Sequence, residues 1–223
     1  MIGWRWDFTL SILPRLLEAT LNTLLAAGMG YAIAMVLGLI FALGQRTPIK
    51  PLTFILREFI EFIRSTPLVL QIFFVFYVGP QFGIRLSPWT AGMIAIGLHY
   101  AAYLSEVYRG ALNAVPRGQW EAATSLNLSM RQTYGRIIIP QALPHAIAGM
   151  GNYLVGIFKD TPMLSVIGVA ELMHTANAIG AENYRFLEPF TMVGIIFLVI
   201  SLPTAALVRL FETWLRRKLG MIR

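Results

Sequence analysis

The stretch ATLNTLLAAGMGYAIAMVLGLIFALGQ, residues 19–45, contains no Asp, Glu, Lys or Arg. As a helix, it is longer than the roughly 30 Å hydrocarbon core of a bilayer. Four further uncharged windows follow at residues 65–84, 86–105, 137–158 and 189–208. In lipid, only a helix satisfies its backbone hydrogen bonds within one segment. We therefore predict an all-α, polytopic membrane protein with five transmembrane helices whose ends extend past these windows.

The composition of the chain supports this class and excludes several kinds of site. Hydrophobic residues make up 57% of the chain and charged residues 13%, whereas about 25% of a soluble domain is charged. The absence of Cys excludes disulfides, thiolate metal sites and iron–sulfur clusters. His99, His145 and His174 do not have the i, i+4 spacing of a helical zinc site. We expect no metal and no cofactor.

The distribution of Lys and Arg predicts the orientation in the membrane. With the N-terminus outside, the segments placed in the cytoplasm hold twelve of the 18 basic residues and the external segments hold five. The cytoplasmic ones lie within residues 46–57, 109–136 and 209–223. The positive-inside rule then predicts an N-out, C-in topology. We interpret the net charge of +7 as this topology signal, so no nucleic-acid partner is expected.

The sequence PRGQWEAATSLNLSMRQTYGRIIIP, residues 116–140, is the one polar, helix-forming insert of its length. Pro116 suits the first turn of a helix, and Glu121 suits the early turns, near the positive end of the helix dipole. Asn127 can adopt the left-handed conformation that ends a helix, and the segment from Ser129 to Gln132 fits a capping box. The pattern predicts helix, tight turn and helix on the cytoplasmic side. From these residues alone, it is most simply a surface hairpin.

This insert resembles the EAA loop of ABC importer permeases. The similarity rests on Glu121-Ala122-Ala123 and on Ile139-Pro140, with Asn127 where the family usually has Gly. In that family, the loop lies in a groove of a separate cytoplasmic ATPase subunit. The resemblance implies an ATPase-docking loop at about residues 114–136. The residues expected to take part are Arg117, Gly118, Gln119, Glu121, Ala122, Ala123, Asn127 and Pro140.

Three further stretches resemble motifs of ABC permeases for polar amino acids. FIRSTPL at residues 62–68 is similar to FRGTPLL, and AAYLSEVYRGA at 101–111 is similar to AAYxSEIxRGxI. KDTP at 159–162 is similar to KDTSL, with Pro162 where Ser is usual. Together these motifs imply a type I ABC importer permease fold, with residues 1–223 forming one permease domain. The implied substrate is a polar amino acid of the histidine, glutamine or arginine type, or a compatible solute such as ectoine.

The polar residues near the span ends suggest a substrate path. Pro67 frees a backbone carbonyl in the preceding turn. Lys159 and Asp160 match the two charges of a zwitterion, although pairing between the two is the simpler explanation. His99 is a packing residue in the alternative interpretation, and Glu106 either pairs with Arg109 or takes part in transport. The expected path residues are Thr66, Pro67, His99, Asn152, Lys159, Asp160 and Thr161.

The chain carries no recognisable energy source of its own. None of Lys50, Lys159 and Lys218 follows a Gly, as a phosphate-binding Walker A loop requires, and no nucleophile elbow is present. The protein is therefore not expected to be an enzyme. The resemblance implies a bacterial inner-membrane location and four partners: a cytoplasmic ABC ATPase dimer, a second permease subunit (identical or sister), an external solute-binding protein and a small zwitterionic substrate. The alternative is an ion-coupled secondary transporter, but neither inverted repeats nor a mid-membrane acidic relay is visible.

Overall fold

The computed structural model describes residues 3–218, and within this range the chain forms nine α-helices and no strand. The helices are α1 (Trp6–Gly44), α2 (Lys50–Ser65), α3 (Leu68–Phe73), α4 (Pro88–Asn113), α5 (Arg117–Ser125), α6 (Met130–Gln132), α7 (Ile139–Asp160), α8 (Leu172–Asn183) and α9 (Leu187–Lys218). Short segments of other helical pitch extend some of them. These are the π-helical turns Phe74–Val78 and Thr133–Ile138 and the 3₁₀ turns Gly79–Phe82 and Thr161–Ile167.

The uncharged windows fall on five different helices. Residues 19–45 lie on α1, 65–84 on α3 and its extension, 86–105 on α4, 137–158 mainly on α7 and 189–208 on α9. Taken singly, two helices of the described part, α1 and α9, are long and apolar enough to cross a membrane. The number rises to four if each of two bent pairs is one span: Lys50–Ser65 with Leu68–Phe82, and Met130–Ile167 with Leu172–Asn183. Five spans and the N-out orientation therefore stay predictions.

Helix α4 is 26 residues long but is not among these candidates. It carries His99, Tyr100, Tyr103, Glu106 and Arg109, and these side chains lower its mean hydropathy. They are also the residues that give this helix a polar face. The polar side chains that lower the mean hydropathy of α4 are thus also the ones that can line a functional site.

Helix α1 is longer than the uncharged window that predicted it. It begins at Trp6 and contains 39 residues, so it rises about 58 Å, roughly twice the thickness of the hydrocarbon core. Residues 6–18, ahead of the window, are therefore helical as well. At this end, Arg15 forms an ion pair with Glu182 of α8 at 2.6 Å, which connects the start of α1 to the short helix α8.

The connection between α2 and α3 is a sharp break. Thr66 and Pro67 are extended, and the two helical segments are bent by 108°. Pro67 lacks a backbone N–H and disfavours the helical conformation of the residue before it, which explains the position of the break. The sequence at Pro67 is compatible with a kink or with a plain helix start, and the structure shows a complete interruption with Pro67 as the N-cap of α3.

Helices α1 and α4 pack closely because glycines face bulky side chains across their interface. A Cβ placed on Gly97 would lie 2.5 Å from Ile33 Cγ2, and one on Gly30 would lie 2.7 Å from Ile96 Cγ2. The main core lies beside this contact and includes Ala34, Leu104 and Ile157. Helix α7 packs against both α4 and α1, and α9 packs on α7. Small residues allow this close approach where lipid provides no hydrophobic drive for association.

A second, smaller core joins the start of α1 to α8 and α9 through Leu16, Leu172 and Ile196. Helix α8 is capped by Glu171, whose two carboxylate oxygens accept hydrogen bonds from the backbone N–H groups of Met173 and His174. The sequence predicts a short packed helix and a loop, rather than a sixth span, for residues 163–188. The structure places α8 in this segment.

Candidate functional site

An open cavity of about 640 Å³ lies between α4 and α7. It is lined by His99, Tyr100, Tyr103, Val107, Gly149, Asn152, Tyr153, Gly156 and Asp160. On α7, Gly149, Gly156 and Asp160, with the adjacent pair Asn152 and Tyr153 between them, recur every three to four positions and so lie along one face of the helix. The α4 residues follow the same rule from His99 through Tyr103 to Val107. Two helices thus face each other with a polar and aromatic stripe on each.

Asp160 at the end of α7 is held by an aromatic hydroxyl of α4. The Tyr100 hydroxyl donates a hydrogen bond to Asp160 Oδ2 at 2.7 Å. Lys159, the neighbour of Asp160, is exposed and forms no ion pair with it. Successive residues of a helix do not face each other, which explains why this pair is not formed. The alternative that Lys159 and Asp160 satisfy each other is therefore wrong.

His99 is connected to the break between α2 and α3 through one side chain, Gln71. His99 Nδ1 lies 3.1 Å from Gln71 Oε1. Gln71 Nε2 lies 2.7 Å from the Ile63 carbonyl oxygen, 3.1 Å from the Thr66 carbonyl oxygen and 2.7 Å from Thr66 Oγ1. The acceptors exposed by the Pro67 break are thus bound by this amide.

Tyrosine rings line the cavity beside His99 and Asp160. The ring centroids of Tyr103 and Tyr153 are 5.5 Å apart, and those of His99 and Tyr103 are 5.1 Å apart. The Arg64 guanidinium lies over the Tyr103 ring at 5.5 Å from the centroid, and the Tyr103 hydroxyl donates to the Arg64 carbonyl. These tilted ring contacts and the cation over one face of Tyr103 hold the rings in position.

The structure brings three of the seven predicted path residues into the cavity: His99, Asn152 and Asp160. Thr66 and Pro67 lie behind His99, in the helix break that Gln71 binds. Thr161 is fully buried, and its hydroxyl donates to the Phe158 carbonyl at 2.8 Å. Glu106 forms an ion pair with Arg109, as in one of the two interpretations of this residue.

The insert at residues 116–140 is a pair of helical segments joined by a tight turn, as predicted. Asn127 has a φ of 52°, in the left-handed region. Around it, Leu128 N–H donates to the Ala123 carbonyl and Asn127 N–H to the Thr124 carbonyl, which is the Schellman pattern of helix termination. Ser129 and Gln132 then form the capping box of the next segment.

The insert differs in two details from the expectation. Pro116 lies just before the first turn of α5, as its N-cap, and Glu121 lies in the second turn. Ala122 is exposed whereas Ala123 is 1% exposed, so one alanine of the pair faces outward and the other packs inward. Trp120 anchors this packing, because it stacks edge-on against Tyr134 at 5.3 Å and lies under the Arg46 guanidinium.

The outward surface of the insert is formed by the remaining docking residues. Arg117, Gly118, Gln119, Glu121, Ala122 and Asn127 are exposed, and Pro140 is half-buried at the start of α7. Within residues 3–218, Glu121 and Arg117 make no ion pair. This leaves one free charge of each sign on the outer face of α5.

Comparisons with known proteins place the chain in a family. The family described as binding-protein-dependent transport system inner membrane component matches residues 15–217. The chain belongs to this family. An inner membrane component of this kind is a multi-pass membrane subunit and not an enzyme, as the sequence predicts.

Other inner membrane components of transport systems are similar over nearly their whole length. The chain is 43% identical over 227 residues to the probable amino-acid ABC transporter permease protein y4tG of Sinorhizobium fredii (strain NBRC 101917 / NGR234), with 98% of this chain and 97% of that protein covered. It is 32% identical to the glutamine transport system permease protein GlnP of Escherichia coli (strain K12), with 93% and 95% covered.

A solved structure described as an amino acid ABC transporter with histidines superposes with a TM-score of 0.90 at 31% identity. It covers 95% of this chain and 99% of that one. The predicted resemblance to ABC importer permeases and the type I permease fold are confirmed.

The sequence interpretation missed several lining residues of this inner membrane component. Gly149 and Tyr153 could have been found from their spacing to Asn152 and Asp160, since all lie on one face of α7. Gln71, which contacts His99 without lining the cavity, could have been found as the one side-chain amide in the apolar run 67–80. Val107 carries no signal that separates it from an ordinary core residue.

Proposed function

We propose that the chain is the permease subunit of an ABC importer for a polar amino acid, driven by a separate cytoplasmic ATPase. The relatives named above support the amino-acid class. The alternative, an ion-coupled secondary transporter, is not favoured, because the family assigns the energy source to another subunit.

The observation that carries this proposal is the continuity between the docking loop and the cavity. From Met130 to Asp160 the chain is helical without interruption, through α6, a π-helical turn and α7. One end of this rod starts at the capped turn of the docking loop. The other end supplies Asn152, Tyr153 and Asp160 to the cavity. A displacement of the loop by an ATPase therefore moves one wall of the cavity.

The docking surface is proposed to include Arg117, Gly118, Gln119, Glu121, Ala122 and Asn127, with Pro140 at the base. Ala123 acts from inside, by seating α5 on the rest of the chain. The residues surround a turn fixed by a Schellman cap and a capping box, so they present a rigid shape to the partner. This role requires a cytoplasmic location of the loop, which follows from the five spans that the uncharged windows predict and from the N-out orientation that the basic residues predict.

The substrate is proposed to be a polar amino acid or a related zwitterion such as ectoine. Asp160 provides a carboxylate for the ammonium group, and the three tyrosine rings provide flat apolar surface and hydroxyls for the rest. Lys159, which the sequence predicts to take the carboxylate of the substrate, is exposed and is not among the residues that line the cavity. The cavity is open on one side, which suits completion by a second permease subunit and delivery by an external solute-binding protein.

Co-purification tests this function. The tagged chain is purified from its native membrane, and the associated proteins are identified by mass spectrometry. Recovery of an ATPase with a Walker A motif, followed by ATP hydrolysis stimulated by L-glutamine, L-histidine or L-arginine with the external binding protein, is the expected result. Isolation of the chain alone, with uptake that depends on a proton or sodium gradient in liposomes, would instead establish a secondary transporter.

A further inference from the structure

The hydrogen bonds of Gln71 determine which end of its amide faces His99. The nitrogen Nε2 lies within 3.1 Å of two backbone carbonyl oxygens, which accept hydrogen bonds and cannot donate them. The single hydrogen of the Thr66 hydroxyl is directed at the carbonyls of Phe62 and Ile63, so this oxygen also faces Nε2 as an acceptor, and the two hydrogens of Nε2 are shared among three oxygens. An amide turned the other way would place its oxygen against these acceptors. The oxygen Oε1 must therefore face His99.

The orientation of the amide in turn fixes the hydrogen on the His99 ring. Oε1 of Gln71 can only accept, and it lies 3.1 Å from His99 Nδ1. Nδ1 must therefore carry the hydrogen. In a neutral imidazole, the other nitrogen then has a lone pair and acts as an acceptor. His99 thus has a defined tautomer without any ligand present.

The other ring nitrogen of His99, Nε2, is available to a ligand in the cavity. His99 is 8% exposed and lines the cavity, with the rings of Tyr100 and Tyr103 next to it. Among the described residues, no hydrogen bond reaches Nε2, and the atom is not one of the fully buried, unsatisfied ones. Asp160, which also accepts hydrogen bonds, lines the same cavity. The hydroxyl hydrogen of Tyr100 is already donated to Asp160.

We propose that Gln71 is a positioning residue that holds His99 in the Nδ1–H tautomer, so that Nε2 presents a fixed acceptor which selects an N–H group of the substrate. This inference rests on the proposed function for the identity of the ligand. It also assigns a purpose to the Thr66–Pro67 break: the freed acceptors of α2 bind the amide that orients a cavity residue of α4.

Nitrogen NMR of the ligand-free complex tests the first half of the proposal. The full chain, labelled with ¹⁵N-histidine and co-purified with its partners, is placed in lipid nanodiscs at a pH of about 8, where an ordinary histidine is neutral. The His99 signals are assigned by their loss in His99→Gln. We expect a protonated Nδ1 and an unprotonated Nε2 in the wild type, and loss of this pattern in Gln71→Leu. A protonated Nε2 in the wild type, or an unchanged pattern in Gln71→Leu, would overturn the proposal.

A matched control separates this effect from general loss of structure. Asn183 also donates its side-chain amide to a helix carbonyl, that of Ile179 at 2.9 Å, but it lies on α8, away from the cavity. Asn183→Leu should leave the His99 signals unchanged. A change in His99 with this variant as large as with Gln71→Leu would mean that the tautomer reports only on overall folding.

The second half of the proposal concerns the ligand. L-glutamine, L-histidine and L-arginine are titrated into the same sample. We expect the Nε2 signal of His99 to shift with the amino acid that stimulates ATP hydrolysis, and the KM for that amino acid to rise about threefold to tenfold in Gln71→Leu, which corresponds to one hydrogen bond. An amino acid that stimulates hydrolysis without moving Nε2 would overturn the recognition role alone. If none of the three amino acids stimulates ATP hydrolysis, the proposed function is wrong. The His99 tautomer is then still decided by the ligand-free spectrum.

Discussion

The Tyr100 hydroxyl donates a hydrogen bond to Asp160 Oδ2 at 2.7 Å and thereby joins α4 to the last residue of α7 across one end of the cavity. Hydrogen bonds to a charged partner are worth about 1.5–3 kcal/mol. Tyr100→Phe removes the bond but keeps the ring. We expect uptake of the amino acid to fall roughly tenfold, because Asp160 loses its fixed orientation. Tyr31→Phe is the control, since it removes a tyrosine bond to the Met150 carbonyl outside this cavity. Equal losses in both variants would contradict the assignment.

Packing between α7 and α9 predicts the effect of a methyl group at Gly151. A Cβ at this position would lie 2.0 Å from Val208 Cγ1, and valine has little rotamer freedom in a helix. We expect Gly151→Ala to destabilise the protein by about 1–3 kcal/mol, as overpacked cores do. Thermal unfolding in detergent measures this. Gly110→Ala is the contrast, since nothing lies within 4 Å of its Cβ and alanine is the better helix former. A lower midpoint for Gly110→Ala than for Gly151→Ala would contradict the packing argument.

The left-handed conformation of Asn127 predicts a graded response to substitution. Gly adopts a φ of 52° without strain, whereas this left-handed conformation costs roughly 1–2 kcal/mol for a residue with a larger apolar side chain. Asn127→Gly should retain ATP-driven uptake, and Asn127→Leu should reduce it while the chain still inserts in the membrane. Uptake and membrane content are measured together. Full uptake by Asn127→Leu would show that the shape of the turn does not matter for docking.

Charge reversal at Glu121 tests the docking surface directly. Glu121 is exposed on α5 and forms no ion pair within the described range, so Glu121→Lys should not disturb the fold. We expect the amount of ATPase that co-purifies with the tagged chain to fall at least tenfold, because the loss of one charged hydrogen bond has an effect of about this size. Glu58→Lys makes the same change at an exposed, unpaired position of α2 and serves as the control. Normal recovery and uptake with Glu121→Lys would remove this residue from the interface.

Local chemistry determined much of what could be predicted from the sequence. Pro67 marked the helix break, Asn127 the left-handed turn, and Ser129 with Gln132 the capping box, because each depends on a few neighbouring residues. The uncharged windows placed the long helices for the same reason. That the helices extend past these windows was predicted, but not that α1 begins as early as Trp6, since Arg15 and Glu18 interrupt the apolar pattern although they can face out of the bundle.

The cavity was harder to predict because it depends on contacts between distant segments. Asp160 was expected to pair with Lys159 or the substrate, but its partner is Tyr100, 60 residues away in the chain. Gln71 and His99 meet across 28 residues, through a geometry that only the packed helices create. The resemblance supplied the class of protein, whereas the arrangement of these side chains had to come from the fold.

The two large apolar side chains beside the docking turn have a consequence for the cell. Leu126 and Met130 are each 70% exposed, one before the left-handed Asn127 and one after it. A bilayer cannot cover them if the turn lies in the cytoplasm, as the basic residues predict. A chain synthesised in excess of its ATPase would keep both in water, where they favour aggregation and recognition by proteases. We therefore expect the abundance of this subunit to follow the supply of its ATPase, because chain made in excess of its partner is removed.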